Sequence, residues 1–320
     1  LNDIENSDLI ILLGTNPKIE TPIINHKIFK AYNNDAKVFN IGENISLNYK
    51  TEYLGENLSS LNNENLIKAL KKSTNPLIII GSAFLNKIKN IKTLKSIFSY
   101  ADKYKVITKE KNNLNFLNPY ASRVGQLIIG NTTNNLCEPF SNLKKDNFEL
   151  VLSFGSEHIA NEQFNNCFKV YFGHHGDDGA MGSDIVLPTP LYTEKNGTFV
   201  NIEGRPQEAK KCHNPIGSAK EEWSILKKLS DELSFDFTPN TFDQLRSELF
   251  DKYPILSDYH EIIAVENSTS ITPDIEFEDC KAEYPVSNFY MSDVISKNSV
   301  TMAKCVEEII STPSLLEKSA

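Results

Sequence analysis

The reactive side chains of this sequence are densest at residues 174–178, where a glycine separates two histidines from two aspartates: His174-His175-Gly176-Asp177-Asp178. Imidazole and carboxylate groups are common metal ligands and acid–base catalysts. Neighbouring side chains in an extended backbone point to opposite sides, however, and zinc sites use spaced ligands that nothing nearby supplies. We therefore predict a glycine-containing turn with hydrogen-bonded histidines, and no metal ligand.

The cysteines are far apart in the sequence, at Cys137, Cys167, Cys212, Cys280 and Cys305. Iron–sulfur and zinc sites usually draw ligands from closely spaced pairs such as C-x-x-C, and this sequence has no such pair. An odd number of widely spaced cysteines is also a poor basis for a disulfide framework. The sequence therefore predicts free thiols and no Fe–S cluster in this chain.

Three further places have the residue types of an active site. Gly14-Thr15-Asn16-Pro17 follows an apolar run, where parallel sheets bind ligands, but the G-x-G-x-x-G and Walker lysine patterns of nucleotide sites are missing. Glu157-His158 pairs an acid with a base, and Cys167 is a thiol, yet neither has a local signature of activation. A proline-restricted turn, a solvated loop and a free thiol are the favoured interpretations. We predict no catalytic and no cofactor-binding residue.

The elements around these residues alternate short apolar runs with amphipathic segments, a pattern typical of βαβ units. Apolar runs predict strands at residues 9–13, 38–41, 77–80, 106–107, 150–152, 170–172 and 185–187. Helices are predicted after Thr21-Pro22, near Leu66, near Ile88, after a capping box of Ser218 and Glu221, and after another of Thr241 and Gln244. These elements together predict an α/β protein.

The segments between these elements suggest where the domains divide. Asn196-Gly197 predicts a two-residue hairpin turn, which needs positive φ at both positions. Residues 109–120 predict a polar surface loop, and residues 271–285 an acidic linker. We expect an α/β domain at residues 1–148, a second at 149–255 with a hairpin and two helices, and a linker with a docking tail at 256–320.

Composition excludes some classes of partner. The 320 residues have a formal net charge of −9, whereas nucleic-acid binding requires a face rich in lysine and arginine. No stretch approaches the roughly 18–20 apolar residues needed to cross a bilayer. We therefore expect no nucleic acid, no direct membrane span, and membrane association only through partner subunits.

Several ordered segments resemble the molybdopterin oxidoreductase superfamily. They are residues 8–17, 184–188, 194–201 and 203–207, which read DLIILLGTNP, DIVLP, EKNGTFVN and EGRPQ. Residues 173–177 (GHHGD) and the tail segments 289–296 (FYMSDVIS) and 301–305 (TMAKC) are similar to the branch of mitochondrial-type large Fe–S subunits of respiratory complex I. The resemblance covers nearly the whole chain and is weakest at residues 109–148 and 255–285.

This resemblance implies two Rossmann-like parallel-sheet domains of the molybdopterin oxidoreductase type and an irregular C-terminal extension. It also implies a non-catalytic, scaffolding role in the peripheral arm of the H⁺-translocating NADH:ubiquinone oxidoreductase. This chain would hold no cofactor, and Fe–S clusters would lie in a missing N-terminal half or a partner chain. The implied location is the matrix side of the mitochondrial inner membrane or, alternatively, the cytoplasmic face of a bacterial inner membrane.

Two enzyme alternatives remain open. The first is a molybdenum or tungsten bis-pterin oxidoreductase that holds its cofactor with residues 14–17 and 194–205. The second is a stand-alone Rossmann-like nucleotide-binding enzyme, which the missing glycine pattern disfavours.

The apolar run at residues 9–13 also bears on partners. A strand that is apolar throughout requires cover on both faces. Residues 1–8 supply too little apolar surface for this, so we expect an obligatory partner that carries the missing N-terminal half.

Overall fold

A computed structural model describes residues 2–85, 87–88, 91–118, 120–130, 149–156, 166–259, 261–262, 275–277, 280–283 and 288–310. Contacts group the chain into two units. Unit 1 comprises residues 1–123 and 264–287, and unit 2 comprises residues 124–263 and 288–320. The last part of the sequence therefore contributes to both units. The domain boundaries at residues 148 and 255 stay a prediction.

Unit 1 is built on a parallel sheet that has five strands among the described residues, in the order β3-β2-β1-β4-β5. The strands are β1 (Leu9–Leu13), β2 (Lys37–Ile41), β3 (Glu52–Gly55), β4 (Pro76–Ile80) and β5 (Leu114–Phe116). Every pairing is parallel, and β1 lies between β2 and β4. The order reverses between β1 and β4, and such a switch point is where open α/β sheets bind ligands.

Helices of the same unit cover both faces of β1. They are α1 (Asn2–Glu5), α2 (Pro17–Glu20), α3 (Pro22–Asn33), α4 (Glu64–Leu70), α5 (Ser82–Leu85) and α6 (Ile91–Lys103), with a 3₁₀ turn at Leu58–Asn62. Ile10 and Leu12 join a core cluster with residues of α1 and α3. Leu9, Ile11 and Leu13 join a second cluster with residues of α4 and α6. The expectation that β1 needs an outside partner to cover it is therefore wrong.

Helix α3 begins where the sequence predicts, so this prediction is confirmed. Thr21 is the N-cap, Pro22 is the first helical residue, and Ile24, Ile28 and Ala31 are buried. The hydroxyl of Thr21 makes no capping hydrogen bond, so the fixed φ of Pro22 is the local signal that starts this helix.

The strand after α6 lies later in the sequence than predicted. Val106 and Ile107 are buried, but outside the sheet; Ile107 makes only an isolated bridge with Asn112. The strand at this edge of the sheet is β5, inside the predicted surface loop at 109–120. The polar composition of that loop was misleading because the amide of Asn113 is buried and donates to the carbonyl of Pro76 at 3.0 Å.

The predicted acidic linker is wrong for its described residues, which form a strap on unit 1. We use "strap" for residues 275–277 and 280–283. Ile275, Phe277, Cys280 and Ala282 pack against the core cluster that contains Leu9, Ile11 and Leu13. Phe277 meets the ring of Tyr100 edge-on at 5.7 Å, and the backbone N–H of Glu276 donates to Ser96 Oγ at 3.1 Å.

Unit 2 contains a three-stranded parallel sheet in the order β6-β7-β8 and an antiparallel pair, β9 and β10, among its described residues. These strands are β6 (Leu150–Phe154), β7 (Phe168–Gly173), β8 (Ile185–Pro188), β9 (Gly197–Val200) and β10 (Pro206–Ala209). The helices are α7 (Arg123–Ile128), α8 (Asp178–Met181), α9 (Glu222–Leu233), α10 (Phe242–Lys252), α11 (Val294–Lys297) and α12 (Val300–Cys305). The first of them, α7, starts at the boundary between the two units in the sequence. Short 3₁₀ turns lie at Pro254–Leu256 and Phe289–Met291, and a π-helical turn at Val306–Ile310. Within the described residues, every helix is too short or too polar to cross a lipid bilayer.

The predicted hairpin turn at Asn196-Gly197 is wrong. Gly197 begins β9 and pairs with Ala209, and its φ is not positive. The β9–β10 connection is residues 201–205, where Gly204 has a φ of 82°. Asn196 serves a different purpose, because its side-chain oxygen accepts a hydrogen bond from the backbone N–H of Lys211 at 3.0 Å.

The two predicted capping boxes have different outcomes. Helix α9 begins at Glu222 with Glu221 as its N-cap, so the cap predicted at Ser218 is wrong. The start of α10 is confirmed: Thr241 Oγ1 accepts from the backbone N–H of Gln244 at 3.2 Å. The amide oxygen of Gln244 accepts from the backbone N–H of Asn240 at 2.8 Å.

Candidate functional site

The switch point of unit 1 is lined by the glycines that follow β1, β2 and β4. Their backbone N–H groups all donate to neighbouring strands and loops: Gly14 to Ile41 O at 2.7 Å, Gly42 to Gly55 O at 2.8 Å and Gly81 to Leu13 O at 2.9 Å. The turns are also in direct contact, because a Cβ atom at Gly81 would lie 2.2 Å from the carbonyl oxygen of Gly14. The N–H groups of these three glycines are therefore not available to bind a phosphate.

A carboxyl group lies at the same edge. Glu20 Oε1 accepts from the backbone N–H of Asn16 at 2.8 Å, and Oε2 accepts from Ser82 Oγ at 3.3 Å. Burial raises the pKa of Glu20 above its usual range, although these hydrogen bonds favour the charged form. The side-chain oxygen of Asn16 is buried and has no hydrogen-bond partner in the described part of the chain. The carboxylate of Glu20 repels an anion at this turn, and the buried hydroxyl of Thr15 is a side-chain group beside it that can donate to one.

The strap crosses this edge of the sheet. Its backbone hydrogen bonds begin at the loop after β3 and end at α5, which follows β4: Leu58 N to Cys280 O at 3.0 Å, Ala282 N to Glu56 O at 3.2 Å, and Glu283 N to Ala83 O at 3.2 Å. Ion pairs join Lys281 to Glu56 and Lys87 to Glu283. A Cβ atom at Gly42 would be 3.4 Å from the methyl group of Ala282. The strap therefore covers the carboxyl ends of the strands beside the switch point.

In unit 2, the histidine-rich segment is the turn after β7. The Nδ1 atoms of His174 and His175 are 2.7 Å apart and the two rings are perpendicular, so the predicted turn with hydrogen-bonded histidines is confirmed, although the two side chains do not point to opposite sides. One of these two nitrogens donates and the other accepts, so a single proton lies between the two Nδ1 atoms. Burial lowers the pKa of His174, and the positive charges of His175 and Lys195 lower it further.

The acidic side of the turn is also used structurally. Asp177 accepts from the hydroxyl of Tyr171 at 2.5 Å and from the backbone N–H of Ala180 at 2.8 Å, which caps α8. Among the described residues, no group of three histidine, cysteine, aspartate or glutamate side chains could hold a metal ion.

Residues 194–205, the second part of the bis-pterin alternative, are occupied by local contacts. Glu194 is buried and its carboxylate accepts from the backbone N–H of Leu191 at 3.0 Å. Lys195 pairs with Glu222 at 2.5 Å. Asn201 Oδ1 accepts from the backbone N–H groups of Glu203 and Arg205, at 3.0 and 2.9 Å, and so closes the β9–β10 turn.

The remaining candidates are the Glu157-His158 pair and the cysteines. Glu157-His158 and Cys137 lie outside the described residues. Cys167 is buried, Cys212 is exposed, and Cys280 and Cys305 are partly buried.

Two protein-family models match parts of this chain. The family model for molybdopterin oxidoreductase matches residues 1–232. The chain belongs to the molybdopterin oxidoreductase family. A second family model, for the C-terminal part of the G subunit of NADH-ubiquinone oxidoreductase, matches residues 264–305, which include the strap.

The curated relatives of this family member have related names. The G subunit of the NADH-quinone oxidoreductase of Rickettsia bellii (strain RML369-C) is 36% identical over 311 residues, which are 95% of this chain and 44% of the relative. The corresponding protein of Rickettsia prowazekii (strain Madrid E) is 35% identical over 311 residues, which are 95% of this chain and 45% of that protein. The NADH-ubiquinone oxidoreductase 75 kDa subunit of Reclinomonas americana is 35% identical over 319 residues, with the same coverage of both chains. The resemblance drawn from the sequence segments is confirmed, and the chain spans less than half the length of these relatives.

The molybdopterin oxidoreductase family implies a pterin–nucleotide cofactor, and the residues at the switch point of unit 1 do not fit one. A phosphate-bearing ligand needs free N–H groups or cationic side chains. Here the N–H groups of three strand-end glycines are used, Glu20 supplies a carboxylate, and Lys281 and Lys87 are paired with glutamates across the strap. This edge therefore provides no anion-binding donors among these groups.

The strap is the part of the site that sequence reasoning missed. Its signal was the alternation of apolar and acidic residues in Ile275-Glu276-Phe277-Glu278, which is typical of an extended segment with one buried face. The acidic residues and the nearby prolines suggested a linker, although the apolar residues between them mark the face that packs on unit 1.

Proposed function

We propose that this chain is part of the G subunit of an NADH-quinone oxidoreductase, a respiratory complex I, and that it works there as a scaffold without a cofactor of its own. The observation that carries this proposal is the strap across the switch point of unit 1. A sheet edge covered by the chain's own backbone, with its glycine N–H groups used, is suited to support and not to ligand binding.

Two further facts support the assignment to this subunit. The matched C-terminal family model includes the strap, so the covering segment belongs to the part of the chain that G-subunit relatives share. The relatives whose names are those of a G subunit or a 75 kDa subunit align along 95% of this chain.

In this role the chain would take part in electron transfer from NADH to quinone only as a component of the whole enzyme. Its partners would be other peripheral-arm subunits and the Fe–S-binding N-terminal half, present as a separate chain or as a continuation of this one. The assembly would attach to the inner membrane of a mitochondrion or bacterium through other subunits, on the matrix or cytoplasmic side.

Native gel electrophoresis of membranes solubilised from the source cells tests the assignment. We expect this chain to migrate with NADH dehydrogenase activity and to be found by mass spectrometry in that band. Migration of the chain in a separate band, without NADH dehydrogenase activity, would contradict the proposal.

Elemental analysis of the purified chain separates the scaffold from the alternative molybdenum or tungsten enzyme. The scaffold role predicts no stoichiometric molybdenum, tungsten or iron and no visible absorbance. About one atom of molybdenum or tungsten per chain would favour a bis-pterin enzyme with a formate dehydrogenase type of activity.

The strap itself is tested by Phe277→Ala. This change removes a partly buried ring that contacts Tyr100, so we expect a loss of about 1–3 kcal/mol in the stability of unit 1. The matched control is Phe289→Ala, whose ring is 57% exposed and should contribute little. Equal effects of the two substitutions on hydrogen exchange in β1 would mean that the strap does not stabilise unit 1.

A further inference from the structure

The sheet of β6, β7 and β8 has one face made entirely of apolar side chains. Side chains alternate along a strand, and paired residues of neighbouring strands share a face. The register therefore places on this face every second residue of the three strands, starting from Leu150, Phe168 and Ile185, and all of them are apolar. The opposite face is mixed, with Ser153, Lys169 and Tyr171 among its members. We call the first of these the apolar face.

The rim of the apolar face is open to solvent. Val170 and Phe172 at its centre are 8% and 2% exposed, and Phe172 stacks on Phe154 with ring centroids 4.4 Å apart. Leu150, Phe154, Phe168 and Ile185 around them are 51%, 46%, 49% and 42% exposed. Parallel sheets are normally covered on both faces, and contiguous exposed apolar patches mark interaction sites. Among the residues that the structure describes, this face therefore lacks part of its cover.

We propose that the apolar face is the docking surface for the upstream region of the same subunit. By upstream region we mean the part of the relatives' length that precedes the matched part, and the proposal rests on the function proposed above. The chain aligns with only 44% of the Rickettsia bellii relative, and the family model matched at residues 264–305 describes the C-terminal part of the G subunit. Most of the unmatched length is therefore N-terminal to this chain's counterpart.

The chemistry of the face restricts the partner surface. Without a charged or polar member, the face cannot select a partner through ion pairs, and it would be buried by an aliphatic or aromatic surface of the upstream region. Such a contact would complete the two-sided cover that a parallel sheet requires.

Photo-crosslinking in the assembled enzyme tests the proposal, whether the upstream region is a separate chain or a continuation of this one. A benzophenone amino acid replaces Phe168, and in the control it replaces Phe235, which is 70% exposed and lies outside the apolar face. After irradiation, crosslinked peptides are identified by mass spectrometry. We expect position 168 to give peptides from the upstream region, and position 235 to give about tenfold fewer, because crosslinking requires direct contact.

A charge variant gives an independent measurement. Phe168→Asp would bury an unpaired carboxylate in the interface, so we expect recovery of the upstream region with the tagged chain to fall at least about tenfold; a tenfold change corresponds to about 1.4 kcal/mol. Phe235→Asp should leave recovery unchanged. For a continuous polypeptide, the readout is protease cleavage between the two regions followed by the same recovery assay. The thermal unfolding of both variants as isolated chains verifies that they fold.

The outcomes separate this proposal from the proposed function. If wild-type chain recovers no complex I polypeptide at all, the proposed function fails. If wild type recovers the upstream region and Phe168→Asp recovers it equally well, the docking surface is refuted while the proposed function stands. Crosslinks from position 168 only to a second copy of this chain, to lipid, to another subunit or to residues 157–165 would also refute it.

Discussion

Unit 1 and unit 2 each contain a parallel sheet whose first strand has a run of apolar residues, Leu9–Leu13 in β1 and residues 150–152 in β6. In β1 each residue is at most 2% exposed, because α1 and α3 cover one face and α4, α6 and the strap lie on the other. In β6, Leu150 and Phe154 are about half exposed. An apolar run therefore predicts that a strand needs cover on both faces, and does not show which polypeptide supplies that cover.

The largest effect should come from core truncation in the covered sheet. Leu12→Ala removes a side chain that is 0% exposed, so we expect a loss of about 2–5 kcal/mol from the cavity and the lost transfer energy. Leu150→Ala in the other sheet should cost less than about 1 kcal/mol in the isolated chain, since its side chain is already half exposed.

Hydrogen exchange of amides in β1 and β6 measures the two losses separately, and the fluorescence of Trp223, the chain's one tryptophan, reports unit 2 alone. Similar losses in both strands would mean that β6 is covered as fully as β1. If Leu150→Ala becomes costly only in the assembled enzyme, the cover of β6 comes from a partner.

Substitution of the glycines at the strand ends should also destabilise unit 1 more than unit 2, by a smaller margin than the leucine substitutions. Gly81→Ala in unit 1 would place a methyl group 2.2 Å from a backbone oxygen, so we expect a loss of about 3 kcal/mol. Gly155→Ala in unit 2 meets no atom within 4 Å and suffers only from its φ of +63°, which costs about 1–2 kcal/mol.

Gly176→Ala is the control for this pair, because it has open space and no positive φ, and it should be nearly neutral. Urea unfolding followed by circular dichroism and by Trp223 fluorescence measures the three variants. A Gly81→Ala protein as stable as wild type would mean that the turns at the switch point are not in contact.

The smallest effect concerns pH and unit 1. Because burial raises the pKa of Glu20, the folded state binds more protons than the unfolded state between the ordinary and the raised pKa. Stability therefore falls as pH rises through this window, and the penalty is complete above it. Glu20→Gln keeps an acceptor oxygen and has no charge, so we expect higher stability than wild type at pH 7 and little difference at pH 4.

Thermal unfolding between pH 4 and 7 checks this sign. Glu52→Gln, an exposed residue of the same unit, controls for the general loss of a negative charge. A Glu20→Gln variant that is less stable than wild type at pH 7 would show that the charged form of this carboxyl group is the favoured one.

Much of the fold could be predicted from local patterns. The strands β1, β2, β4, β6, β7 and β8 overlap apolar runs, and Thr21-Pro22 and Thr241 mark helix starts by chemistry within one turn. The edge strand β5 could not be predicted, because Asn113 beside it is polar, and the partners of its buried amide group, Asn75 and Pro76, are distant in the sequence.

The candidate site was less predictable for the same reason. Gly14-Thr15-Asn16-Pro17 was found as a strand-to-helix turn, but the strap that crosses its edge of the sheet comes from more than 250 residues later in the sequence. Local signals also compete: Asn196-Gly197 has the sequence of a tight turn, and pairing of Gly197 with Ala209 places it in a strand instead.

The strap affects how unit 1 folds during synthesis on the ribosome. Ser96 and its strap partner Glu276 are 180 residues apart. At a synthesis rate of roughly 5–20 residues per second, Glu276 is synthesised on the order of 10–40 s after Ser96, so unit 1 is incomplete during that time. During that interval, the apolar surface that Ile275 and Phe277 later cover is open beside a growing second unit. A chaperone that binds exposed apolar chain therefore has a defined period of access, which ends when the strap leaves the ribosomal tunnel.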